Sequence, residues 1–143
     1  MCMFQENTIY NVTPRERVGY KMVKVTRKGN IVAPIQTGVR YKVGKWNVAG
    51  VGIFRGAYSY SSNPGFNVYT KKSAVLSHLK RRIRWDKDAD RFTVVRVTGR
   101  KVVSTGRNGF CAMELFIGKS AAYQAKRFIG SKRQKTLRAE AKY

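Results

Sequence analysis

The sequence predicts an α+β fold: an antiparallel β-sheet with one main packed helix and a basic C-terminal helix or tail. Three observations carry that reading. Short runs rich in β-branched residues, with side chains alternating in character, begin at Gly19 and again at Phe92, each bounded by turn residues. The segment 71–85 instead spaces its apolar residues at a helical interval. From Lys119 onward eight Lys and Arg face Glu140 alone. The expected division is an N-terminal arm (1–18), an α+β core (19–118) and a basic helix or tail (119–143).

Residues 1–18 carry no strong period, and 11–17 read as an extended arm ending in a turn. The first core strand follows, with Tyr20, Met22 and Lys24 alternating against Lys21, Val23 and Val25. Lys28-Gly29-Asn30 is a turn, and 31–35 returns as a second strand. Pro34 lacks an N–H, so that strand ends there or lies at an edge. The glycine- and aromatic-rich stretch 38–56 offers a third strand near Tyr41–Trp46 and a long loop. Gly44-Lys45 and Gly50-Val51-Gly52 match neither a P-loop nor a dinucleotide fingerprint, so they read as turns or bulges and no cofactor is expected.

A turn at Pro64-Gly65 delivers the short strand 66–69, and Thr70 is the expected N-cap of the 71–85 helix. Val75, Leu76, Leu79 and Ile83 fall within an arc of about 100°. Lys80, Arg81 and Arg84 point elsewhere, and Arg82 flanks the stripe. The acidic loop 86–90 ends the helix. Three strands then form a meander against which the helix packs: 92–98, a turn at Gly99-Arg100, 101–105, a hairpin at Asn108-Gly109, and 110–117. Ser120 is the expected cap of a second helix, 121–129, fraying into a flexible basic tail.

Charge decides the class of partner. Thirty Lys and Arg oppose seven Asp and Glu, a net of +23 on 143 residues, and Glu16 is the only acid between Asn7 and Trp85. Internal ion pairs cannot neutralise that surplus, so a polyanion is expected: nucleic acid first, an anionic membrane surface second. No apolar run approaches a membrane span, and the first residues lack the pattern of a secretory signal. Two cysteines, Cys2 and Cys111, and one histidine supply neither a disulfide framework nor a metal-ligand set. Reduced thiols and an intracellular location are the expectation.

Four short pieces, Tyr41-Lys42-Val43-Gly44-Lys45-Trp46, Gly65-Phe66-Asn67-Val68-Tyr69, Val94-Val95-Arg96-Val97-Thr98-Gly99 and Gly109-Phe110-Cys111-Ala112, follow one another in a familiar order. Over residues 19–117 this order resembles small uncharacterised domains encoded by bacteriophages and large DNA viruses. Asn67 stands where those domains carry a histidine. The resemblance implies a phage or viral origin, with location in the host cytoplasm or nucleoid or in association with the virion.

The expected function is non-catalytic binding of RNA or DNA through backbone phosphates. Its candidate residues are Lys71, Lys72, Lys80, Arg81, Arg82 and Arg84 on the main helix, and Lys126, Arg127, Lys132, Arg133 and Lys135 in the tail. Trp46, Tyr58 and Tyr60 are candidates for base stacking beside Lys42, Lys45 and Arg55, although Trp46 also suits a core. No zinc-finger, helix-turn-helix or RNP signature is present, so sequence-independent binding is expected. Two alternatives compete. One is a minor capsid-associated protein contacting packaged genome and other virion proteins. The other is an ADP-ribosyltransferase-like site built on Glu114 and Tyr20. His78 reads as a helix-flank residue rather than a base.

Overall fold

The computed structural model describes residues 7–13 as backbone, together with 15–34, 39–49, 65–86 and 89–141. Among these residues the elements run β1 (Asn7–Thr13), β2 (Arg17–Val25), β3 (Ile31–Val32), β4 (Trp46–Val48), β5 (Phe66–Tyr69), α1 (Lys72–Trp85), a 3-10 turn (Ala89–Arg91), β6 (Phe92–Thr105), β7 (Gly109–Phe116), α2 (Lys119–Phe128) and α3 (Lys132–Ala141). The fold is α+β with an antiparallel sheet, as the periodicity predicts. No helix among the described residues is long and apolar enough to cross a membrane.

β6 is the spine. β1 and β2 lie in succession along one edge, from Asn7 opposite Thr105 to Lys24 opposite Phe92. β7 takes the other edge, from Thr98 opposite Phe116 to Thr105 opposite Phe110. β5 pairs with β7 over four residues and meets β2 at a single pair, Tyr20 opposite Tyr69. The pairings β6–β2–β5–β7–β6 therefore close into a ring. β4 extends the β5 side of β7, and β3 sits on β2. The segment read as an arm thus contributes β1 to the sheet.

Alternation along the strands feeds two apolar clusters. Val23, Val25, Val95, Val97, Phe66, Val68, Phe110 and Leu115 join one, which α2 covers with Ala122 and Ala125. Met22, Phe92, Tyr69 and Cys111 join the other, beneath Val75 and Leu79 of α1. The predicted stripe holds: Val75 and Leu79 are buried, with Leu76 and Ile83 packed beside them. The Lys28-Gly29-Asn30 turn and the β6–β7 hairpin also form where the sequence puts them. Gly29 has φ 84°, and the Gly106 N–H donates to Gly109 O at 2.8 Å.

Four expectations need correction. Gly99-Arg100 is not a turn, because β6 runs unbroken for 14 residues. A Cβ on Gly99 would lie 2.8 Å from Phe110 Cε2 and 2.9 Å from Ala112 Cβ, so glycine is there to admit β7. Lys101 adopts φ 57°, the inward phase switches from Val95 and Val97 to Val102, and the register against β7 shifts by one residue between Val102 and Ser104, as an extra residue in a bulge requires. Thr70 does not cap α1. Lys71 holds the N-cap without a side-chain bond, while the Thr70 N–H donates to Asn108 O at 2.9 Å. Ser120 lies inside α2, whose N-cap is Gly118. Cys111 is fully buried and disulfide-bonded rather than reduced; a count of two cysteines rules out a framework but not one bridge.

The chain end is a docked helix rather than a fraying tail. Ser131 precedes α3, accepts the Gln134 N–H at 3.2 Å and donates to Phe128 O at 2.6 Å. Gln134 is buried, with its Oε1 accepting from the Gly130 N–H and its Nε2 donating to Asp90 O. Ser-x-x-Gln is a capping pattern, here extended to anchor α3 on the 3-10 turn. Leu137 packs into the α1 cluster, and Ala141 is buried.

Candidate nucleic-acid interface

A cleft of about 940 Å³ opens between α1 and α2, with the start of β6 as its floor. Lys72, Leu76 and Leu79 come from α1, and Thr93 to Arg96 from β6. Ser120, Ala121, Tyr123, Gln124, Arg127 and Phe128 come from α2, and Ser131 and Arg133 from the α2–α3 junction. The local reasons are simple. Outward residues of β6 fall between inward Val95 and Val97, which leaves Arg96 exposed. Ala122 and Ala125 bury one flank of α2, so Tyr123 and Arg127, one helical turn apart, share the open side. The Arg127 guanidinium lies 5.7 Å from the Tyr123 ring centre.

Among the described residues, Lys72, Arg96, Arg127 and Arg133 give this cleft four cations, and its lining holds no carboxylate. None of the four joins an ion pair among the described residues. Leu76, Val94 and Phe128, each half-buried, supply apolar surface between them. Such an arrangement binds anions by charge and flat apolar groups by contact. Among the described residues no three His, Cys, Asp or Glu side chains gather to hold a metal.

The predicted cations separate into groups. Lys72, Arg127 and Arg133 meet in the cleft. Lys71, the N-cap of α1, and Arg81 are exposed outside it, Arg82 is half-buried on α1, and Lys132 and Lys135 are exposed on α3. Lys126 is exposed on α2, near the β2–β3 turn, its Nζ 3.9 Å from the Cβ position of Gly29. Lys80 pairs with Glu140 at 3.0 Å, and Arg84 donates its Nε to Ala141 O, so these two tie α1 to α3.

The aromatic candidates separate too. Trp46 is half-buried, 5.4 Å from Phe116, and the Arg100 guanidinium sits 3.9 Å from its ring centre. Tyr58 and Tyr60 lie outside the described residues. Tyr41 is core, edge-on to Phe66 at 6.0 Å, and burial raises its phenol pKa. Sequence reasoning missed Arg96 and Tyr123. The i, i+4 spacing of Tyr123 and Arg127 was a legible signal; the convergence of Arg96 with them depends on how α2 returns over β6.

Glu114, the residue of the enzyme alternative, is buried and held by Arg100 Nε and, at 3.2 Å, by Lys101 Nζ. The Arg100 hydrogen bond is the main cause that keeps its carboxyl below the ordinary value. Tyr20 lies instead among the residues packed under α1. His78 Nδ1 is 3.1 Å from Tyr69 Oη. Burial first, then Arg81 and Arg82, lower the His78 pKa, while burial raises that of Tyr69. Lys21 is buried, and burial brings its pKa down to about 8. No protein family, curated protein or solved structure matches this chain.

Proposed function

We propose that the protein is a non-catalytic nucleic-acid-binding protein that neutralises backbone phosphates, with the cleft between α1 and α2 as its principal site. One observation carries the reading: Lys72, Arg96, Arg127 and Arg133 converge on a cleft whose lining, among the described residues, lacks carboxylates, in a chain of net charge +23. Phosphate contacts of this kind release condensed counterions and carry no sequence information. The resemblance of residues 19–117 to phage and viral domains supports a viral source, where a genome or its transcripts would be the polyanion.

The test is a salt series. Affinity for labelled RNA and DNA of several sequences is measured for the wild type and for the Arg96→Ala/Arg127→Ala/Arg133→Ala variant. The wild type binds all sequences similarly and weakens as salt rises. The triple variant binds more weakly and loses about two to three from the log–log salt slope, at about 0.7–0.9 per phosphate contact. Binding that ignores both salt and the substitutions overturns the proposal.

A further inference from the structure

We infer that the cleft takes a single strand of nucleic acid rather than a duplex, with an unstacked base lying on Tyr123. The inference rests on the nucleic-acid reading and sharpens it. Phosphates alone need only cations. Here Lys72, Arg96, Arg127 and Arg133 surround a lining that also contains Leu76, Val94 and Phe128. A duplex hides its base faces within its own stack, so that apolar surface would gain nothing from it. A single strand has base faces to offer.

Tyr123 is the side chain suited to receive one. It lines the cleft yet remains 61% exposed, unusual for a large aromatic on a helix whose Ala122 and Ala125 are buried. Arg127 beside its ring adds a cation to the same platform, and both base–aromatic and base–guanidinium contacts tolerate any sequence. α1 is not disposed to enter a major groove. Val75 and Leu79 bury one side against the sheet, and Lys80 and Arg84 bind another to α3.

The experiment compares a labelled dodecathymidylate with a blunt twelve-base-pair duplex at matched low and high salt concentrations, using the wild type, Tyr123→Ala and Tyr123→Phe. Melting temperatures confirm that each variant folds. The wild type binds the single strand more tightly. Tyr123→Ala loses about tenfold on the single strand, the scale of one base–aromatic stack, and little on the duplex. Tyr123→Phe keeps wild-type affinity. If Tyr123→Ala binds the single strand as the wild type does, or the duplex binds as tightly, while binding stays salt-dependent, this inference falls and the nucleic-acid reading stands. Salt-independent binding, or binding of neither probe, removes both.

Discussion

The Lys21 ammonium donates to the backbone oxygen of Asn67 at 2.9 Å and to its amide oxygen at 3.1 Å. Its place follows from strand register. β2 and β5 are paired only at Tyr20 and Tyr69, and continuing that register would set Asn67 opposite Met22. The strands part there, and Lys21 supplies the donor that the ladder would have given to the Asn67 carbonyl. A neutral amide cannot offset the charge, which is why burial lowers the lysine pKa.

This pair gives a pH signature. A lysine with a folded pKa near 8 and an ordinary value of 10.5 binds fewer protons folded than unfolded between those limits. Stability therefore rises with pH across that window, and the penalty for burying the charged form is full below pH 8. Denaturant titrations of wild type and Lys21→Met at pH 7.5 and 10.5 should show the wild type gaining on the variant by an amount of order 3 kcal/mol. A constant difference would show that the burial cost is not borne by Lys21.

Gly99 marks where the sequence was hardest to read. Gly-Arg between two β-branched runs carries the same local signal whether the chain turns or bulges, because both need a residue that tolerates crowding or an extra unit of chain. What distinguishes them is tertiary: Phe110 and Ala112 press on Gly99 from β7, and β6 stays paired with β7 through Arg100 and Val102 before its register shifts. Gly99→Ala should cost about 1–3 kcal/mol by overpacking, measured by thermal or denaturant unfolding. An alanine tolerated without loss would mean that β7 can move away.

Glu114 gives a second pH test with the opposite origin. Its carboxyl is depressed below 4.5, so the stability it contributes is present above that value and lost as pH falls through the folded one. Arg100 and Lys101 are 34% and 53% exposed, and solvent screens them. Glu114→Gln should therefore cost about 1–2 kcal/mol at pH 7, with the gap to wild type narrower at pH 3, below the ordinary value of 4.5. Urea titrations at both pH values measure it. A gap that persists in acid would assign the loss to packing instead.

Much of the architecture was legible because it depends on local pattern. The stripe Val75, Leu76, Leu79, Ile83, the Gly29 turn and the Asn108-Gly109 hairpin each write their geometry in neighbouring residues. The site was only half legible. Lys72, Arg127 and Arg133 could be identified as cations, but a cation count does not say which ones face a common cleft. Lys80 and Arg84 looked the same in sequence as Arg81, and their partners, Glu140 and Ala141, are more than fifty residues away. The buried Gln134 that docks α3 was invisible for the same reason.

That distinction between cations yields the last prediction. Lys80→Ala/Arg84→Ala removes the ties from α1 to α3, one an ion pair with both side chains about half exposed, the other a charge-assisted bond to a helix-end carbonyl. The double variant should lose about 1–2 kcal/mol of stability and keep the wild-type salt slope. Arg96→Ala/Arg127→Ala removes two charges from the cleft that hold no ion pair among the described residues. It should leave the melting temperature within a degree or two of wild type, because substitutions away from buried partners change stability little. Its salt slope should fall by about 1.4–1.8. Both variants carry the same net charge. If binding followed net charge alone, the two would bind alike, and unequal slopes at equal charge separate a located site from a diffuse basic surface.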